Sequence, residues 1–250
     1  TSVQAFVLST AQISSMSTLQ VAALATSAVA VLATSDVAIL NTLQVVGLSS
    51  LQVQALSTLQ VVALDTNQVY ALETFDLAAM ATSGVQALTT LQIAALSSRA
   101  VTALTSVQAF VLSTAQISSM STLQVAALAT SAVAVLNTNN VVTLSTLQVA
   151  GLSSLQALAL TTLQVVALTT AQVYAMETAE VAALATSGIA LLATAQLLAL
   201  RSEQAAALTS AQVVALTTLQ IAAMETLDFS ALATASVRAL ATLQVLALST

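Results

Sequence analysis

The chain has no cysteine, histidine, proline, tryptophan or lysine. Absence of cysteine removes disulfide and thiolate chemistry and is compatible with any compartment. Absence of both histidine and cysteine removes the usual nucleophile–base pairs and zinc sites. The only cations are Arg99, Arg201 and Arg238, too scattered to form the basic patch that nucleic acid requires. Glycine is confined to isolated positions at Gly47, Gly84, Gly151 and Gly188, so there is no phosphate-cradling loop; these glycines read as points of close packing or local kinks. Charge of either sign is scarce, at 5% of residues against about 25% in ordinary soluble domains. Carboxylate pairs such as Glu73 and Asp76 could in principle do acid–base work, but they read more simply as solvated groups at a helix start. These absences predict that the protein is not an enzyme and uses no cofactor, metal or small-molecule substrate.

What is present is one eight-residue phrase, seen in Ser17-Thr18-Leu19-Gln20-Val21-Ala22-Ala23-Leu24. It runs from Thr1 to Leu248 without insertion or deletion, as 31 octads and a two-residue stub. With position 1 at Thr1, position 8 is Leu in 26 octads and Met in five (Met16, Met80, Met120, Met176, Met224). Position 2 is always Thr or Ser, position 4 is Gln in 20 octads, position 5 is nearly always Val, Ile or Leu, and position 7 is usually Ala. Charged residues fall only at positions 1, 3, 4 and 6, with Asp36, Asp76, Glu180 and Asp228 at position 4. Positions 2, 5, 7 and 8 are therefore expected to be buried, since an unpaired charge there would be costly to desolvate.

A longer repeat lies over the short one. Residues 1–32 recur identically as 105–136, an offset of 104 residues or thirteen octads, and a diverged third copy begins near Thr209. Paired irregularities recur with it, among them Tyr70 and Tyr174, Gly84 and Gly188, Phe6 and Phe110. No linker or composition shift interrupts the pattern, so residues 1–250 are expected to form a single uninterrupted array. The chain opens and closes inside the repeat, and the expectation is a window of a longer protein.

An eight-residue period excludes one continuous helix. At about 100° per residue, successive position-8 leucines would sit roughly 80° apart and spiral round the surface. The chain must break in every octad, and the Ser/Thr pair at positions 1 and 2 is the expected break. The pattern [Ser/Thr]-x-x-Gln from position 1 to position 4 reads as a capping box, as in Ser57…Gln60 and Thr161…Gln164. Where position 1 is Ala, position 2 would take over as cap. The acidic pairs Glu73/Asp76, Glu177/Glu180 and Glu225/Asp228 would place negative charge at a helix N-terminus. The expected fold is all-α, a solenoid of short capped helices with one per octad. The alternative is a β-solenoid built on Thr and Gln ladders, but strand alternation would put Val21 and Leu24 on opposite faces and its tight corners would want more glycine.

An isolated octad buries too little to fold, so stacking is obligatory and lateral contact with other chains is expected. Positions 3 and 6 carry the candidate interface residues Phe6, Leu19, Leu59, Val62, Tyr70, Leu91, Phe110, Leu163 and Tyr174, which would form apolar stripes if exposed. Val101 to Met176 carries no charge, yet regular Ser, Thr and Gln and the absence of charged loops speak against membrane insertion.

Two resemblances bear on function. Leu64-Asp65-Thr66-Asn67-Gln68-Val69 is similar to the opening of the DNA-reading repeats of plant-pathogen effectors, but it lacks their proline, base-reading loop and basic surface. Thr169-Thr170-Ala171-Gln172-Val173 and Leu216-Thr217-Thr218-Leu219-Gln220-Ile221 resemble the short threonine–glutamine repeats of very large bacterial surface or adhesin-like proteins. That resemblance covers the whole chain and implies an extracellular or cell-surface structural role, with no site residues to carry over. The expected function is a structural repeat protein whose partners are other copies of itself, assembled into a fibre, filament or sheath. The alternatives are a binding module, with a row of position-2 hydroxyls such as Thr18, Thr26 and Thr34 facing ice, and a stalk for an adhesin.

Overall fold

The computed structural model describes residues 8–248. Among them lie thirty helices of four to six residues, one per octad from Thr10–Ser14 to Thr242–Ala247, and no strand. The fold is therefore the all-α solenoid, and the β-solenoid is excluded. The octad around Asp65 shows the local cause. Asp65 is the N-cap in extended backbone (φ −78°, ψ 172°), Thr66–Ala71 is helical, and Leu72 returns to extended backbone (φ −59°, ψ 130°). No described residue has positive φ, and no described peptide bond is cis. The reversal between helices needs neither glycine nor proline, which accounts for how little of either the chain has.

Two expectations about the break are corrected. It falls at positions 8 and 1, not at 1 and 2. Thr18 already belongs to the helix Thr18–Ala22, because the carbonyl of Ser17 accepts the first intrahelical bond from Val21 N at 3.0 Å. Nor does the cap move when position 1 is Ala. Ala25, Ala33, Ala81 and Ala193 remain the N-caps and simply lack a side-chain cap bond. The phase of each octad is set by packing against its neighbours, which overrides the local cap preference.

The described residues divide into two compact units between Val135 and Leu136, although the octads continue through the division unbroken. In each unit helices three octads apart lie against one another. In the first, Thr42–Val46 packs between Thr18–Ala22 and Thr66–Ala71; in the second, Thr162–Ala167 packs between Thr138–Thr143 and Thr186–Ala190. Side-chain contacts between successive turns of the second unit span 25 or 26 residues (Thr162 to Ser187, Ser202 to Asp228, Ser210 to Ser236), so one turn of that coil takes slightly more than three octads.

The core is built from positions 4, 5 and 8, which corrects the expected set of 2, 5, 7 and 8. Val61, Val69 and Leu77 at position 5 are fully buried, with Leu64 and Leu72 at position 8 beside them. Position 2 is exposed or half-buried and position 7 mostly half-buried. These two small-residue positions meet between turns: a Cβ added at Gly47 would overlap Thr18 Cγ2. Small side chains predominate at these positions, as the close approach at Gly47 and Thr18 requires.

Position 4 is buried because its glutamine joins two helices. In the first unit Gln116 Oε1 accepts from the N-cap amide of Ser113 at 2.9 Å, closing the capping box. Its Nε2 donates to Val85 O at 3.0 Å and Leu88 O at 2.8 Å, at the end of a helix four octads earlier. In the second unit Gln212 repeats this, to Thr209 N at 2.8 Å, Val181 O at 3.0 Å and Leu184 O at 2.8 Å. One side chain thus satisfies an amide left open at one helix start and, at another helix end, an open leucine carbonyl beside a valine carbonyl that already accepts from the backbone.

Candidate functional site

Helices of this length have no stability of their own, so the coil fixes which side chains face outward. Positions 1 and 4 are held at the cap, and 5 and 8 point inward. Positions 3 and 6 are left on the outside of each helix. Leu19 is 81% exposed and Leu59, Leu91 and Leu163 are each above 70%. Val62, Tyr70, Phe110 and Tyr174 are exposed as well, while Phe6 lies outside the described residues.

Stacking sorts these residues into columns. In the first unit Thr18–Ala22, Thr42–Val46, Thr66–Ala71 and Thr90–Ala95 pack in succession. They carry Leu19, Leu43, Asn67 and Leu91 at position 3, with Val46 and Tyr70 at position 6. A groove of about 460 Å³ runs between Leu43, Val46 and Tyr70 on this face. A second column passes from Leu59 and Val62 on Thr58–Ala63, through Thr82–Ala87, to Phe110 on Ser106–Phe110. A third holds Leu51, Phe75, Arg99 and Leu123. In the second unit Tyr174 shares a face with Leu147 and Leu198, whereas Leu163 stands between Asn139 and Ser187 and has no apolar neighbour at position 3. Sequence reasoning missed Leu43, Leu51, Phe75, Leu123 and Leu147. The signal was available, because all five occupy position 3.

The chain's scarce charge is distributed between cap and surface. Asp76 and Glu180 replace Gln at position 4 and are nearly as buried. Each keeps the cap half of the glutamine's work, with Glu73 N donating to Asp76 Oδ2 at 3.2 Å and Glu177 N to Glu180 Oε2 at 2.8 Å. Neither carboxylate can donate to the turn below. Desolvation pushes the Asp76 carboxyl above its ordinary range, opposed by the Glu73 amide and assisted by the Glu73 charge. Glu180 is raised in the same way, chiefly by burial, against backbone amides at Glu177 and Glu180 and with the Glu177 charge assisting. Glu73 and Glu177 themselves make no cap bond through their side chains. On the surface of the second unit Arg201 lies 5.7 Å over the Tyr174 ring and 4.0 Å from Glu177.

No group of three or more metal-ligating side chains occurs among the described residues. No described helix is long and apolar enough to cross a membrane. Beyond this, the geometry offers polar groups already spent on the backbone and apolar groups facing out.

Residues 29–66 and 69–106 match the ALTTAQ repeat family. Both matched segments begin at a position-5 valine, Val29 and Val69, five octads apart. The six letters of the family's name also occur verbatim at Ala167-Leu168-Thr169-Thr170-Ala171-Gln172, outside those segments. The chain is a tandem-repeat protein. Neither the curated proteins nor the solved structures gave a match.

Proposed function

We propose that this is a structural repeat protein that assembles with copies of itself through the apolar columns at positions 3 and 6. The observation that carries the reading is the column of Leu19, Leu43, Leu91, Val46 and Tyr70, whose side chains all stand on one face of the first unit. Covering one such leucine is worth about 1–2 kcal/mol. Association costs about 4–15 kcal/mol in lost freedom. A single leucine cannot support a contact, but a column of them can, and repeating columns favour polymers over closed pairs. An extracellular or cell-surface location belongs to the same reading. Three arginines and no lysine leave few sites for trypsin-like proteases, which suits an exposed fibre.

Sedimentation velocity over a range of concentrations tests this reading. The protein should form species much larger than 25.1 kDa. Replacing Leu19, Leu43 and Leu91 together by Ser, a residue already present at position 3 in Ser35 and Ser83, should shift the distribution towards monomer with unchanged helix content. A monomer at all concentrations would remove the proposal.

A further inference from the structure

The 104-residue super-repeat allows one local surface to be compared with its duplicate. In the second unit Arg201 Nη2 donates to Met176 O at 2.9 Å, and the guanidinium lies 5.7 Å from the Tyr174 ring centroid and 4.0 Å from Glu177 Oε2. This is a complete guanidinium site: a carbonyl acceptor, a carboxylate and an aromatic face. The counterparts of Tyr174, Met176, Glu177 and Arg201 are Tyr70, Leu72, Glu73 and Ser97. The tyrosine, the glutamate and a backbone carbonyl at the Met176 position, here Leu72, are retained, while Arg201 is replaced by Ser97 and its neighbours Glu203 and Gln204 by Arg99 and Ala100. The space that its loss leaves is open. A cleft of about 360 Å³ is lined there by Tyr70, Leu72, Glu73, Phe75, Ser97 and Arg99. Phe75 stands where the duplicate has Ala179, so the cleft has gained a second aromatic wall.

We propose that this cleft is a guanidinium-binding site that takes an arginine side chain of a partner protein in the position Arg201 fills in the duplicate. Tyr70 and Phe75 face the cation, Glu73 pairs with it, and the Leu72 carbonyl accepts a hydrogen bond as the Met176 carbonyl does from Arg201. Arg99 in the lining is the one opposing charge. Tyr70, Glu73 and Phe75 are solvent-exposed, so a lone arginine binds weakly, with Kd on the order of millimolar, and acts as an anchor within a larger contact.

The chain has two tyrosines and no tryptophan, so tyrosine emission reports the two duplicates directly. In a Tyr174→Phe protein only Tyr70 emits. Titration with N-acetyl-L-arginine methylamide should change that emission saturably. The uncharged citrulline analogue, and the arginine probe on a Glu73→Gln background, should each bind about tenfold more weakly, through loss of the charge-assisted contact. Arg99→Ala should strengthen binding by removing the like charge. Ser97→Arg, which restores the duplicate's own arginine, should fill the cleft and abolish the response, with far-UV circular dichroism confirming that the fold is kept. Absence of a saturable change in the Tyr174→Phe protein, or its persistence in folded Ser97→Arg, would overturn the proposal.

Discussion

The glutamine at position 4 determines how octads hold together. The buried Gln116 amide accepts from the Ser113 amide and hydroxyl at its own cap and donates to Val85, Gln86 and Leu88 carbonyls at the end of another helix. Replacing Gln116 with Ala would leave the Ser113 amide and the Leu88 carbonyl to find water in a closed seam, with Val85 O keeping its bond from Leu88 N. The expected cost is about 2–4 kcal/mol, measurable by urea unfolding, whereas Leu123→Ala on the outer face should cost under about 0.5 kcal/mol. The acids at the same position respond to pH. The folded-state pKa values of Asp76 and Glu180 lie above the unfolded values of 3.8 and 4.5. The stability they contribute is therefore complete below those unfolded values and is lost as pH rises through the folded-state pKa. Asp76→Gln with Glu180→Gln should raise the melting temperature at pH 7 and reduce the gain seen between pH 7 and pH 4.5. Equal gains in variant and parent would contradict this. These acids are also why the burial of position 4 was not legible: charge there implied solvent. A carboxylate is tolerated because it accepts the cap amide at a helix start, where negative charge is favoured.

A single helix here is less than two turns long and depends on its ends. The capping box was legible, since [Ser/Thr]-x-x-Gln prescribes two reciprocal bonds within four residues and the structure makes both, as at Ser57 and Gln60. The precise break was not, because Ser and Thr at positions 1 and 2 have similar local preferences. Only the return of the position-8 leucine to extended backbone separates cap from first helical residue. Octads with alanine caps are the weak members. Ala33→Ser and Ala193→Ser should each stabilise by about 0.5–1 kcal/mol by supplying the missing acceptor, read as a rise in the urea midpoint. Glycine at position 4 is a separate device. A Cβ on Gly188 would stand 2.9 Å from Val165 Cβ, so Gly188→Ala should destabilise despite its better helix propensity. A stabilised Gly188→Ala protein would show that the turns can spread apart at no cost.

At the scale of the molecule, one octad per short helix was legible from the period alone, but the number of octads per turn was not. Every octad offers the same caps and leucines, so local sequence cannot say which earlier octad it will meet. The answer lies in the reach of the glutamine amide, 28 to 31 residues back, and in contacts at 25 and 26 residues. The apolar columns follow from the same stacking, which turns scattered position-3 leucines into continuous faces. Self-assembly through those faces is the central claim, and electron microscopy of the purified protein at increasing concentration tests it most directly. The account predicts regular filaments whose power spectrum has a repeat near about 10 Å from stacked helices. Dispersed single particles at every concentration would contradict it.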